Sequence, residues 1–267
     1  MNTLPSMNVR PVVSRIRRMA LAAATVGAAM LAIGTSPGTL AQESYPSRPV
    51  TIVVPWGPGG SGDITARTFA RYFEKRLGQS AVIDNKPGAN GIIGAQYAKA
   101  ANPDGHTLLM VSNMTHAANS TLFKKLPYDP LKDFEPVAYV AALPIVLVAH
   151  PSIPAKTLGE FVAYVRANAD KLNCAHHGPG TGTHLACLQF ARKLGVNVAD
   201  VPYKGAPQVN LDLLANRVQF YFGTLPTELG YIRNSQLRAY GIASARRAPS
   251  APEIPTLSEQ GLDGQFA

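Results

Sequence analysis

Acidic residues are scarce in this chain of 267, at 16 against 25 lysines and arginines. The formal charge of +9 nevertheless overstates the imbalance, because four of those charges are arginines in the first 41 residues and the remainder carries only +5. Beyond residue 41 no basic run exceeds the pairs Lys124-Lys125 and Arg246-Arg247, so no stripe suited to nucleic acid exists. The dispersed charge reads as a solvated surface whose mild positive field draws in anions. Long apolar runs are also missing. Met19 to Ile33 is the longest candidate, and fifteen residues rise only about 22 Å as a helix, short of a hydrocarbon core of roughly 30 Å. There is no sequence repeat and no biased stretch long enough for a disordered linker. No Ser/His/Asp motif, paired catalytic carboxylates or phosphate-binding lysine supports an enzyme. Cysteine occurs twice, which limits the chain to one disulfide.

What is present begins with a leader. Arg10, Arg15, Arg17 and Arg18 precede the apolar, alanine-rich Met19 to Ile33 stretch, and Thr39-Leu40-Ala41 offers the small residues a signal peptidase reads. Residues 1–41 are therefore expected to be a signal peptide directing the chain to the periplasm. Arg17-Arg18 suggests a twin-arginine signal, but its flanking residues favour the general secretory route.

From Tyr45 onward, apolar strands alternate with amphipathic helices. Thr51 to Val54, Ala81 to Asp84, Thr107 to Val111, Asn173 to Ala175, Val198 to Val201, Val218 to Phe222 and Arg238 to Ala243 read as strands. Ile64 to Leu77, Gly91 to Ala101, Leu158 to Val165, Thr183 to Leu194, Pro207 to Ala215 and Pro226 to Arg233 read as helices, with Gly78 and Gly195 as stops and Thr157 to Glu160 as a capping box. The expected class is α/β with parallel sheets. The apolar Val137 to Ala149 stretch, broken by Pro144, would be an extended crossing between two lobes.

Two glycine-rich turns, each after a strand and before a helix, carry the functional reading. The first is Trp56-Gly57-Pro58-Gly59-Gly60-Ser61-Gly62-Asp63 and the second Gly178-Pro179-Gly180-Thr181-Gly182-Thr183. Such turns let backbone N–H groups approach a ligand, and the helix N-terminus adds partial positive charge that favours phosphate or carboxylate. Two of them suggest two lobes facing one cleft, with ligand beyond the carboxyl ends of the strands. Gly57, Gly59 and Gly60 also serve turn geometry. Asp63 fits equally a helix cap and a ligand contact.

These residues also carry a resemblance. Tyr45-Pro46-Ser47-Arg48-Pro49-Val50, the first turn, Asp84-Asn85-Lys86-Pro87-Gly88-Ala89, Asn102-Pro103-Asp104-Gly105-His106-Thr107, Leu126-Pro127-Tyr128-Asp129-Pro130 and Val201-Pro202-Tyr203-Lys204-Gly205 together resemble the extracytoplasmic solute receptors of tripartite tricarboxylate transporters, the Bug proteins. The resemblance implies a two-lobed periplasmic binding protein fold, type II-like, without catalytic activity, metal or cofactor. It implies lobes over 42–143 and 144–245, with 246–267 returning towards the first lobe. The ligand would be a small carboxylate held by backbone groups and ordered water, and the partners the integral-membrane permease subunits; a monomer and no nucleic acid are expected. Carried over, the ligand contacts are Trp56, Gly57, Gly59, Gly60, Ser61 and Asp63 in the first turn, and His177, Gly178, Gly180, Thr181, Gly182 and Thr183 in the second. Thr115, Tyr203 and Thr224 would complete the cleft.

The chain departs from the family in places. Cys174-Ala175-His176-His177 replaces a tyrosine and small hydroxyl residues, and Gly223-Thr224 stands where an aspartate suited to an ammonium is common. A plain carboxylate is thus favoured over an amino acid. The family continues several tens of residues past Ala267, and a truncated first lobe would leave apolar helix faces uncovered. Cys174, His176, His177, His184 and Cys187 match no common zinc spacing, with His176 and His177 pointing oppositely if extended. The plain readings are a core Cys187 and a surface His176, and a Cys174–Cys187 disulfide lies within bridging reach. His177, if it faces the cleft, would pair as an imidazolium with a carboxylate. The competing reading is an exported dinucleotide-binding oxidoreductase, with Gly57-x-Gly59-x-x-Gly62 as fingerprint and Asp84 on the ribose. Pro55 and Pro58 oppose it by removing backbone donors.

Overall fold

The computed structural model describes residues 44–264, so the expected signal peptide lies outside the described residues. The elements in chain order are β1 (Val50–Val54), α1 (Ser61–Leu77), β2 (Ala81–Asn85), α2 (Ile92–Lys99), β3 (Thr107–Leu109), α3 (Asn119–Leu122), β4 (Ile145–Ala149) and α4 (Leu158–Asn168). They continue with β5 (Asn173–His176), α5 (Gly182–Leu194), β6 (Ala199–Pro202), α6 (Ala206–Leu214), β7 (Phe220–Thr224), α7 (Leu225–Arg233) and β8 (Arg238–Ile242).

They form two sheets. The first has the order β2-β1-β3 and is parallel throughout, pairing Ile52 with Ile83 on one side and with Leu108 on the other. The second has the order β6-β5-β7-β4-β8, in which β5 pairs parallel with β6 and β7. Strand β4, however, runs antiparallel to both β7 and β8, which corrects the expectation of wholly parallel sheets. An apolar run reports burial and not direction. Every residue of β4 is buried, with Ile145, Leu147 and Ala149 in the core on one face and Val146 and Val148 in the core on the other. A strand covered on both faces reads as a continuous apolar run, parallel or not.

The 137–149 stretch is strand only after Pro144, since residues 134–144 have no regular structure. Val137 and Tyr139 there are exposed. The first sheet packs Ile52 and Val54 against Ala66 and Ala70 of α1. Its surrounding elements leave Tyr72, Val82, Ile93, Tyr97 and Leu122 exposed, a wider apolar surface than the second sheet shows.

Helix ends follow local chemistry. Gly78 closes α1 in the left-handed conformation, at φ 71°, with its N–H on the Glu74 carbonyl. Thr157 and Glu160 form the expected capping box at the start of α4. Segment 114–118 is a single π-helical turn leading into α3. Cys174 and Cys187 form a disulfide joining β5 to α5.

Candidate functional site

Both glycine turns stand at the carboxyl ends of strands, and each lies against an element of the other sheet. The Asn90 side-chain amide, preceding α2, donates to the Pro179 carbonyl of the second turn at 3.3 Å. A Cβ on Gly180 would fall 2.3 Å from Leu122 of α3. A Cβ on Gly59 in the first turn would touch Pro207, at the start of α6, at 3.4 Å. Gly59 and Gly180 also hold φ of +78° and +79°, so both positions favour glycine for backbone conformation, and Gly180 for close approach as well.

In the first turn, α1 starts at Ser61 with Gly60 as a cap residue that supplies no side-chain acceptor. The amides of its first turn therefore lack both an intrahelical partner and a side-chain cap. Asp63 does not cap α1, whose cap residue is Gly60. It is buried inside the helix start, and its carboxylate accepts the Gly59 N–H (3.0 Å), Asn85 Nδ2 (3.0 Å) and Arg67 Nε (2.9 Å). Burial opposes its ionisation, but the hydrogen bonds from Arg67, Gly59 and Asn85 outweigh that and hold its pKa below the usual carboxylate range. Asp63 thus braces the turn from beneath. Trp56 is partly buried, and its indole fills the space a side chain at Gly62 would need, 2.6 Å from the position of that Cβ. Gly57 has open space around its Cβ position.

In the second turn Thr181 caps α5 by accepting the His184 N–H at 3.2 Å. Its hydroxyl also lies 3.0 Å from that of Thr183, which accepts the His177 N–H. Two imidazoles bind the turn's own amides: Gly178 N–H donates to His176 Nδ1 (3.0 Å) and Gly180 N–H to His184 Nδ1 (3.1 Å). His176 is buried, not on the surface, because its ring lies under the first turn of α5, 4.3 Å from that of His184; its Nε2 reaches Asp200 Oδ2 on β6 at 3.0 Å. His177 turns the other way, as the alternation of an extended chain requires, and its Nε2 is hydrogen-bonded to the Tyr221 hydroxyl. Burial, with His176 adding to it, pushes the His177 pKa down to about 4. That corrects the expected imidazolium: at neutral pH His177 is an uncharged hydrogen-bonding group.

The remaining expected residues have hydrogen-bond partners within the protein. Thr115 is fully buried in the π-turn, its hydroxyl exchanging hydrogen bonds with the Ser112 backbone. The Tyr203 hydroxyl donates to Asp212 at 2.8 Å, and burial together with that carboxylate pushes its pKa up to about 12. Thr224 starts α7, its hydroxyl 3.0 Å from Thr227. Next to it the sequence reading missed Glu228, which is fully buried, hydrogen-bonded to Thr227 (2.7 Å) and Asn210 (3.4 Å), and raised by burial to about 7. Gly223 makes room for it, since a Cβ there would lie 2.5 Å from Glu228.

The model of the tripartite tricarboxylate transporter family receptor matches residues 65–267. The chain belongs to that family. It is 35% identical over 220 residues to BugT of Bordetella pertussis, covering 82% of this chain and 68% of that protein. Among solved structures, it is similar to the periplasmic binding protein BugD (34% identity, TM-score 0.76, 83% of this chain and 74% of that one). It is also similar to a protein of R. palustris solved with adipate (33%, TM-score 0.79, 82% and 74%) and to MatC of Rhodopseudomonas palustris with bound malate (38%, TM-score 0.73, 82% and 74%). The family is one of solute-binding receptors, so the oxidoreductase reading is set aside. Asp84, its would-be ribose ligand, is paired with Lys86 at 3.1 Å.

Proposed function

We propose that this receptor, exported to the periplasm by residues 1–41, captures a small organic carboxylate and delivers it to the membrane permease subunits of a tripartite transporter. The observation that carries the reading is that each glycine turn lies against the opposite sheet's elements, so a ligand at one turn meets both. Relatives solved with adipate and malate agree in ligand class. The cleft would lie between a lobe of residues 42–143 and one of 144–245, with 246–267 returning to the first, and the receptor would act as a monomer.

The two turns contribute differently to this reading. The uncapped start of α1, with Gly57, Gly60 and Ser61, is the stronger anion site, since its amides have no side-chain acceptor. At the second turn the amides of Gly178 and Gly180 are held by histidines and the Thr181 hydroxyl donates its one proton to the Gly178 carbonyl at 2.7 Å, which leaves the Gly182 amide and the Thr183 hydroxyl as contacts. Titration calorimetry with malate, adipate and a monocarboxylate tests this. Binding of a dicarboxylate that Ser61→Pro abolishes supports it; absence of binding to any organic acid, including those released from the native protein by denaturation, overturns it.

A further inference from the structure

His176, His184 and Asp200 bring two imidazole Nε2 atoms and a carboxylate oxygen within 4.8 Å of one another, an arrangement with the look of a metal centre. The other ring nitrogens decide against one. A backbone N–H can only donate, so Nδ1 of each ring, which receives the Gly178 or Gly180 amide, carries a lone pair and no proton. The proton of each neutral ring is then on Nε2, where a metal would have to bind. Moving it to Nδ1 would set N–H against N–H, whereas metal-bound histidines present their second N–H to an acceptor.

We propose instead that His176 and His184 are positioning residues of the second glycine turn: two neutral, Nε2-protonated imidazoles beside Asp200 whose Nδ1 atoms hold the Gly178 and Gly180 amides and set the shape that the ligand meets. His176 donates to Asp200 Oδ2 at 3.0 Å, and His184 Nε2 stands 3.6 Å from the same oxygen. The rings pack against each other with centroids 4.3 Å apart. Gly178 and Gly180 sit at φ of +108° and +79°, conformations the imidazole acceptors secure. Protonation at either Nδ1 removes the acceptor. The titratable groups facing the pair are His177 beside it and Asp200 across from it; the Asp200 carboxylate favours protonation of His184, and the neighbouring His176 opposes it.

What the turn is for rests on the carboxylate reading; its geometry does not, and the experiment separates the two. Long-range 15N–1H spectra of the histidine-labelled protein at about pH 8, above the ordinary histidine value near 6.5, should show both rings as Nε2–H tautomers. An Nδ1–H tautomer for either ring overturns the proposal, as does a shift of both Nε2 resonances on adding one equivalent of zinc chloride. His184→Asn places an amide oxygen where Nδ1 stands, and His184→Gln places its acceptor further out. The Asn variant should leave Gly180 hydrogen exchange within about threefold of the parent, and the Gln variant should speed it about five- to tenfold. Equal exchange in both variants overturns the assignment. If the tautomers are as stated but neither malate nor adipate binds, the positioning role stands and the carboxylate reading falls.

Discussion

The Tyr221 hydroxyl is hydrogen-bonded to His177 Nε2, joining a fully buried residue of β7 to the residue that leads into the second glycine turn. The same ring has its centroid 5.4 Å from the imidazole. Burial raises the Tyr221 pKa well above its ordinary value, with the charge of Glu228 adding to it, so the pair is neutral on both sides.

Removing that hydroxyl leaves a buried nitrogen without its partner. Tyr221→Phe should cost about 1–3 kcal/mol in urea unfolding while the sheet survives, because the ring itself stays packed. An unchanged midpoint would show that the contact contributes nothing.

Glu228 and His177 should give stability opposite dependences on pH. Glu228 has a folded pKa of about 7 against an ordinary 4.5, so the folded state holds its proton longer; its contribution is complete below 4.5 and is lost as pH rises to 7. His177, at about 4 against 6.5, is the reverse: its contribution is complete above 6.5 and is lost as pH falls to 4. Each amounts to roughly 3 kcal/mol at one unit per 1.4 kcal/mol. Relative to the parent, Glu228→Gln should therefore gain stability between pH 4.5 and 7, and His177→Gln should gain it as pH falls from 6.5 to 4. Denaturant unfolding of the three proteins across this range measures both slopes, and parallel curves would remove these two groups as the source.

The glycines of the turns are not equivalent. Gly180→Ala meets both a positive φ and Leu122, and should cost about 1–2 kcal/mol. Adding Leu122→Ala should return part of that loss, leaving the conformational share. Gly57→Ala, with open space and no positive φ, should change stability by less than about 0.5 kcal/mol. Thermal unfolding of the set orders them, and a Gly57 variant as damaged as Gly180 would contradict this geometry.

Asp63→Ala strips the Gly59 amide, Asn85 and Arg67 of their common acceptor. A loss of about 2–3 kcal/mol is expected, since one buried charged acceptor serves three donors. Amide exchange at Gly59 should quicken with it; protection as in the parent would show the turn holds itself.

Much of this was legible in the sequence. Helices α1, α4, α5, α6 and α7 follow from apolar spacing, and both turns from glycines placed between a strand and a helix. The direction of β4 was not, because its five apolar residues would look alike in either sense. Nor were the partners of the turn amides. Glycine spacing marks where N–H groups come close to a ligand, but Asp63, His176 and His184 reach them through tertiary packing that local pattern does not encode. His176 was misplaced on the surface because nothing in Asn173 to His176 says that the start of α5 packs over that face of the strand. Glu228 was missed for a similar reason, since a lone acid in a helix usually faces water.

Cys174 and Cys187, 13 positions apart, close a covalent ring whose members include His176, His177, the whole second turn and His184. A ring of this size removes about 3 kcal/mol of freedom from the unfolded chain, and here the ring encloses the whole second glycine turn. Thiols stay reduced in the cytosol and pair outside it. A chain folded in a reducing compartment therefore has the same turn without its tether, and the finished form of this glycine loop is a product of where the protein matures.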